Sequence, residues 1–227
     1  MLFAFIFGIA GARIYFIIQH SQFFIVKPLE IFTLWKGGFS SFGAIIGSSI
    51  GAVFYLKKAK INIWKFADCC APSIAIGIFF TRIGCFMNGC CFGKLSDLPW
   101  SVRFPQGSGP FMFQLYYGKI LPTEILSLPV HPVQLYESLV GILLFIVLIY
   151  FSKRKKADGQ LFLGFLILYS VSRFFIEFYR EDFNKNSVGV LSYIQVFSLF
   201  IALTGIVGYY LLIRKEKEQI NSTGKEI

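Results

Sequence analysis

Charged residues are scarce in this sequence: Asp, Glu, Lys and Arg together make up 15% of 227 residues. Acids are scarcest, 12 against 22 Lys and Arg, and there are two histidines. A chain so poor in charge cannot cover the surface of a soluble domain of this size, and what it has instead is 56% hydrophobic residues and a mean hydropathy of +0.65. Twenty-eight Phe and eleven Tyr suit lipid-facing and interfacial positions. No cleavable signal is evident, since residues 2–18 lack a basic leading region and a small-residue cleavage site. Five cysteines, an odd number without paired spacing, give no disulfide framework. The net charge of +10 sits in short runs beside apolar spans, which is a topogenic pattern and not a nucleic-acid footprint, so no nucleic-acid partner is expected.

The apolar runs define an all-α polytopic membrane protein of about six spans in a single membrane domain over residues 1–227. The spans fall at about 2–18, 39–56, 66–86, 134–151, 161–178 and 190–213. The second is rich in Gly and Ser, which predicts close helix packing. Residues 87–133 carry six of the eight prolines and no clear period, as expected of an extramembrane cap or re-entrant piece. A short polar loop runs from Arg180 to Asn186.

Charge sets the topology. The segments after spans two, four and six hold four Lys/Arg each, against two, three and two after spans one, three and five. That bias puts both termini in the cytoplasm and the 87–133 cap outside. The three remaining arginines, Arg13, Arg82 and Arg173, lie within spans and all fall at the depth of the outer headgroups. For any one of them, snorkelling is the plain alternative. Three at one depth on three helices point to a shared anion, and at that depth the abundant anion is a phospholipid phosphate, which a guanidinium fork binds well. Glu177 lies four residues after Arg173, on the same helix face, placed to neutralise it or to hold it.

Two further stretches concentrate chemistry. In Thr81–Gly93 an apolar run ends in an arginine, three cysteines and three glycines. Its Cys85, Cys90 and Cys91 admit four readings: small buried hydrophobes, a disulfide (feasible for Cys85 and Cys90 if Gly89 bends the chain), a metal site of non-standard zinc spacing, or a reactive thiol beside Arg82. Cys69 and Cys70 read as packing residues. His131-Pro132-Val133-Gln134-Leu135-Tyr136-Glu137 stands where the cap re-enters the membrane. Read plainly it is an interfacial histidine and a proline-led helix start, but three hydrogen-bonding side chains in the first turns of an intramembrane helix are costly unless they serve a purpose.

Five blocks in order resemble the prolipoprotein diacylglyceryl transferases of bacterial inner membranes. Gly11-Ala12-Arg13-Ile14-Tyr15 is similar to a G-x-R-[IL]-x-Y stretch. Gly37-Gly38-Phe39-Ser40 with Gly43 and Gly47 is similar to a GG-x-S-F-H-G-G segment. Arg82-Ile83-Gly84 with Phe86, Asn88, Gly89 and Gly93 resembles the family's G-R-x-G-N-F-x-N-x-E-x-x-G signature. His131-Pro132 with Gln134-Leu135-Tyr136-Glu137 resembles HP-[ST]-QLYE, and Arg173 to Arg180 an R-x-x-x-E-x-x-R block.

The resemblance implies transfer of a diacylglyceryl group from phosphatidylglycerol to the lipobox cysteine of a prolipoprotein signal peptide, in the bacterial inner membrane, at a site facing the outer leaflet, without cofactor or metal. It places Arg82 and Arg173 on the lipid phosphate, with Arg13 and Arg180 in support. His131 joins the catalytic set. Asn88, Gly93, Gln134 and Tyr136 orient substrate, and Glu137 and Glu177 hold the arginines. The departures are definite: the family's histidine falls on Phe42, the first asparagine of its signature on Cys85 and the glutamate on Cys90. The family also has a further first span with a functional tyrosine that nothing here matches, and the N-inside parity agrees with its removal. These losses keep two other readings in play, a paralogue acting on another acceptor and a non-catalytic lipid-binding or transport protein.

Overall fold

The computed structural model describes residues 2–33, 35, 37–181, 187–188 and 191–223. It is helical nearly throughout, in the order α1 (Leu2–Gln19), α2 (Ser21–Val26), a 3-10 turn (Pro28–Phe32), α3 (Ser41–Lys58), α4 (Ile63–Asn88), α5 (Gly109–Tyr116), α6 (Val133–Ser152), α7 (Gln160–Ile176), a second 3-10 turn (Glu177–Tyr179), the two-residue strands β1 (Ser187–Val188) and β2 (Leu191–Ser192), and α8 (Tyr193–Thr223). Five helical segments are long and apolar enough to cross a membrane: Leu2–Gln19, Ile63–Asn88, Val133–Ser152, Gln160–Tyr179 and Tyr193–Glu216. This is an all-α polytopic membrane protein. The span expected at 39–56 forms α3, but its serines, glycines and two terminal lysines lower its hydropathy below that of the other five. The polar loop expected from Arg180 to Asn186 lies, from residue 182 on, outside the described residues.

Contacts divide the chain into two compact units, Met1–Phe66 and Ala67–Ile227. In the first, α1 packs along α3 at a distance only glycine permits. A Cβ on Gly43 would collide with the carbonyl of Gly11, and one on Gly47 with the carbonyl of Phe7. Small residues let backbones approach in this way, and they gain dispersion contact where lipid offers no hydrophobic drive.

In the second unit, α4, α6 and α7 share a core of Ala71, Ala75, Leu144, Leu148, Leu161 and Phe165. Gly141 of α6 lies against α4, where a Cβ would come within 2.8 Å of Phe79 N. Ser138, one turn earlier, donates to the Phe79 carbonyl at 3.2 Å. At the far end of α4, Asp68 is 2% exposed and fully engaged. Its carboxylate accepts from Gly159 N at 2.8 Å, Phe162 N at 2.9 Å and Lys155 Nζ at 2.9 Å. It therefore caps α7, whose first N–H groups have no partner within their own helix. The cap segment is ordered by a second core, Phe92, Phe104, Phe113 and Val130. Isolated bridges Leu95↔Val130, Val102↔Val130 and Pro105↔Leu126 surround it.

Candidate active site

At the cap end of the second unit, charged side chains from three helices meet on one buried carboxylate. Glu137 lies in the second turn of α6 and is 2% exposed. Its Oε2 is 2.7 Å from Arg82 Nε, and its Oε1 is 3.7 Å from Arg173 Nη1. The same Arg173 Nη1 lies 2.8 Å from Glu177 Oε2, one turn further along α7. The Ser192 hydroxyl donates to Glu177 Oε1 at 3.3 Å. Arg173 is 8% exposed and Glu177 5%, so this is not a surface ion pair. Two guanidiniums and two carboxylates balance, and each acid disfavours release of its arginine to any weaker partner. Arg82 meets Glu137 through its Nε. The Arg82 side chain is 18% exposed, so its guanidinium is less enclosed than the carboxylate it meets.

Gln134 stands one turn before Glu137 and is wholly buried. Its Nε2 donates to the Cys90 carbonyl at 2.7 Å, which ties the start of α6 to the segment after α4.

A second group of side chains adjoins through consecutive residues. Trp100 Nε1 donates to the Tyr136 hydroxyl at 2.8 Å, and that hydroxyl lies 3.3 Å from His131 Nδ1. Trp only donates, so the Tyr136 hydroxyl keeps its own proton and can give it to Nδ1 in the tautomer that leaves Nδ1 bare. That tautomer puts the imidazole proton on Nε2, where it can be given to an anion. The rings of His131 and Tyr179 meet edge-on at 5.1 Å. Burial, and after it the Lys94 ammonium, pulls the His131 imidazole below its ordinary value, which favours the neutral ring this tautomer needs. Gly93 is enclosed here: its N–H donates to the His131 carbonyl at 3.1 Å, and its backbone bridges to Arg180. A Cβ on Gly93 would sit 2.6 Å from His131 Cβ and 2.7 Å from Val133 Cγ2, so only glycine fits.

The structure thus brings Arg82, Glu137, Arg173 and Glu177 into one cluster, and His131, Tyr136, Gly93 and the backbone of Arg180 into another. Asn88 is the last residue of α4 and is exposed. Arg13 belongs to the first unit, where its donors are already committed. It gives hydrogen bonds to the carbonyls of Glu30 at 2.6 Å, Gly37 at 2.8 Å, Ile31 at 3.1 Å and Gly38 at 3.1 Å. Rings of Phe16, Phe24 and Phe39 surround its guanidinium. It organises the loop between α2 and α3, and its support of a lipid phosphate is not needed to explain its burial. Phe42, at the position of the family's histidine, is 69% exposed. Cys69 is exposed and Cys70 half-buried, so the packing reading fits Cys70 alone.

Sequence reasoning passed over Trp100, Ser192 and Asp68. Asp68 carried a signal, an acid inside an apolar span that must find donors. Trp100 and Ser192 carried none, because each acts through a partner distant in sequence.

Comparison with known proteins decides the family. A family model described as prolipoprotein diacylglyceryl transferase matches residues 1–211. The chain belongs to the prolipoprotein diacylglyceryl transferase family. Relatives named phosphatidylglycerol–prolipoprotein diacylglyceryl transferase include one from Idiomarina loihiensis, 34% identical over 96% of this chain and 76% of its own length. One from Geobacter sulfurreducens is 31% identical over 92% and 75%, and one from Clostridium tetani is 36% identical over 88% and 74%. The family is one of transferases, and the five apolar segments agree with a multi-pass membrane enzyme of this kind.

Proposed function

We infer that this chain transfers the diacylglyceryl group of phosphatidylglycerol to a prolipoprotein thiol, and that the cluster on Glu137 is where the lipid phosphate binds. The observation that carries the reading is the pair of guanidiniums, from α4 and α7, anchored on one buried carboxylate. The thiol sulfur attacks the glyceryl carbon next to the phosphate ester, a thioether forms, and glycerol phosphate leaves. Negative charge grows on the departing phosphate, so fixed positive charge at low dielectric stabilises the transition state more than the bound lipid. Arg82 and Arg173 supply that charge. The Nε2–H of His131 donates to a phosphate or glycerol oxygen. Glu137 and Glu177 are positioning residues, while Gln134 and Gly93 shape the wall. Arg180, bridged through its backbone to Gly93, adds positive charge, and Asn88 orients substrate from the end of α4.

The acceptor on this reading is the lipobox cysteine of a signal peptide. The membrane is the bacterial inner membrane, with the site toward its outer leaflet; the uneven distribution of Lys and Arg along the sequence supports this. A reporter fused near residue 110 is then expected outside and one near 155 inside.

The test is transfer itself. Membranes holding the chain, given phosphatidylglycerol and a model prolipoprotein, should yield the diacylglyceryl adduct by mass spectrometry. Arg82→Ala and Arg173→Lys should lose about 2–4 kcal/mol of transition-state stabilisation, roughly thirty- to a thousandfold in rate, while Cys69→Ala stays near wild type. A stable, inserted protein that gives no adduct rejects the reading.

A further inference from the structure

Cys85, Cys90 and Cys91 are folded into one sulfur cluster, and the fold goes to some trouble to do so. Their three Sγ atoms all lie within 4.8 Å of one another. α4 ends in a glycine-terminated cap: Gly89 takes φ +66°, its N–H returns to the Phe86 carbonyl and that of Cys90 to the Cys85 carbonyl, each at 3.1 Å. The cap brings Cys90 back over Cys85. Cys91 then adopts φ +56°, a left-handed conformation that the described residues otherwise show, outside glycine, only at Lys60. Gln134 clamps the Cys90 carbonyl from α6, and its own Oε1 is buried without a hydrogen-bond partner. All three cysteines are free and half-buried.

Thiols that merely fill space need neither the strained backbone nor the clamp. Sulfurs bound to one tetrahedral zinc at about 2.3 Å lie about 3.8 Å apart, so small side-chain rotations suffice to close the cluster on an ion. Three thiolates and a divalent ion carry one net negative charge. Arg82 lies one helical turn before Cys85, and its charge acts on both Cys85 and Cys91.

We propose that Cys85, Cys90 and Cys91 hold a zinc-class ion as three thiolates, and that its fourth position takes the acceptor thiol of the transfer reaction. The second half rests on the transferase reading above. It meets a need of that reading: an unassisted thiol has a pKa of about 8.5 and is mostly protonated at neutral pH. The acceptor thiol binds the ion and loses its proton to water. Its sulfur then supplies the electron pair for the new C–S bond to the glyceryl carbon. The C–O bond to phosphate breaks with its pair on oxygen, and glycerol phosphate departs. The neutral thioether is a poor ligand and leaves the ion. Nothing is oxidised or reduced.

The test uses the full chain purified from membranes. Elemental analysis should find about one zinc per chain, with Cys85→Ser, Cys90→Ser and Cys91→Ser each losing most of it and Cys69→Ser none. The cobalt-substituted protein should show thiolate-to-cobalt charge-transfer absorption. Its ligand-field bands should shift when a model acceptor peptide bearing one cysteine is added, and not with the serine peptide. Chelation should reduce transfer about a hundredfold or more, and zinc should restore it. Thermal melting of each variant separates loss of metal from loss of fold. Where a single variant unfolds, reversible chelation of the wild type decides alone. Full transfer by metal-free protein overturns the proposal and leaves the transferase reading standing. So does a purified chain two hydrogens lighter, closed by a disulfide and indifferent to zinc. Zinc bound with a thiol-responsive cobalt spectrum, but no adduct from any form, rejects the transferase reading and keeps the metal site. A cobalt spectrum blind to the peptide thiol overturns the acceptor role.

Discussion

Glu137→Gln is the most informative single change. The carboxylate is 2% exposed and holds Arg82 at 2.7 Å and Arg173 at 3.7 Å. The amide keeps the shape but not the charge, and turns one donor end toward a guanidinium. Breaking a buried ion pair by neutralising one partner costs about 3–5 kcal/mol. Arg173 keeps Glu177 at 2.8 Å, so most of the loss falls on Arg82, and the lower end, about 3 kcal/mol, is the working figure. The variant should melt earlier in detergent, and anionic phosphatidylglycerol should restore part of the loss by giving Arg82 a new partner. Lipid should bind more tightly for the same reason. Turnover should fall nonetheless, by roughly a hundredfold, because a guanidinium displaced by about 1 Å no longer matches the leaving phosphate. The assay is melting with and without phosphatidylglycerol, beside kcat and KM for adduct formation at matched abundance. Unchanged stability together with unchanged lipid affinity would refute the idea that Glu137 positions the clamp.

The pH profile of transfer should have its acid limb below the ordinary imidazole range, because burial first and Lys94 second hold the His131 ring neutral; Lys94→Met should move that limb upward. The sign follows from linkage: a depressed pKa gives stability that is full above the unfolded value and is lost as pH falls through the folded one. Gly93→Ala should cripple both folding of the cap and transfer, since a Cβ there meets the His131 backbone and Val133; normal expression, melting and rate would sink this expectation. Asp68→Ala should lower melting markedly, with about 2–3 kcal/mol lost at the unpaired N-terminus of α7, while the rate per folded molecule stays near wild type. The Asp68 hydrogen bond raises the Lys155 pKa, so the lysine's share of that stability is present below its ordinary value and is lost as pH rises through the folded one.

Spans were legible because they are long apolar runs, alternate ones followed by basic runs, and lipid leaves the backbone no alternative to helix. The ends were less so: α4 starts and stops beyond its apolar run, since helices continue past the hydrocarbon. The four-residue spacing of Arg173 and Glu177 predicted their contact. From the residues alone Glu137 was visible as a costly acid in the first turns of a span; its task of holding the arginines came from the family resemblance. Arg13 shows the opposite limit. The charge pattern of the sequence assigned it the same depth as Arg82 and Arg173, yet such an assignment says nothing about which carbonyls a folded loop will offer, and the loop around Gly37 and Gly38 takes up its donors. The convergence of Cys85, Cys90 and Cys91 could not be read from their spacing, because it depends on the left-handed backbone at Gly89 and Cys91.

The balance of charge at the cluster also bears on turnover. Two bare guanidiniums in a poorly hydrated pocket would bind the product more tightly than the lipid, since glycerol phosphate carries an additional negative charge as a monoester. Such a site would stall on product release. With Glu137 and Glu177 each within ion-pair distance of Arg173, and Glu137 also on Arg82, an incoming anion competes with carboxylates already in place. Binding is weaker for every anion, and the cost is the same for lipid and product. What survives is the differential response to charge that builds up on the departing oxygen, which is the part that accelerates reaction. On the proposed reading of the site, the paired acids would do more than neutralise buried arginines: they would keep the clamp strong enough to orient a phosphodiester and weak enough to let a phosphomonoester go.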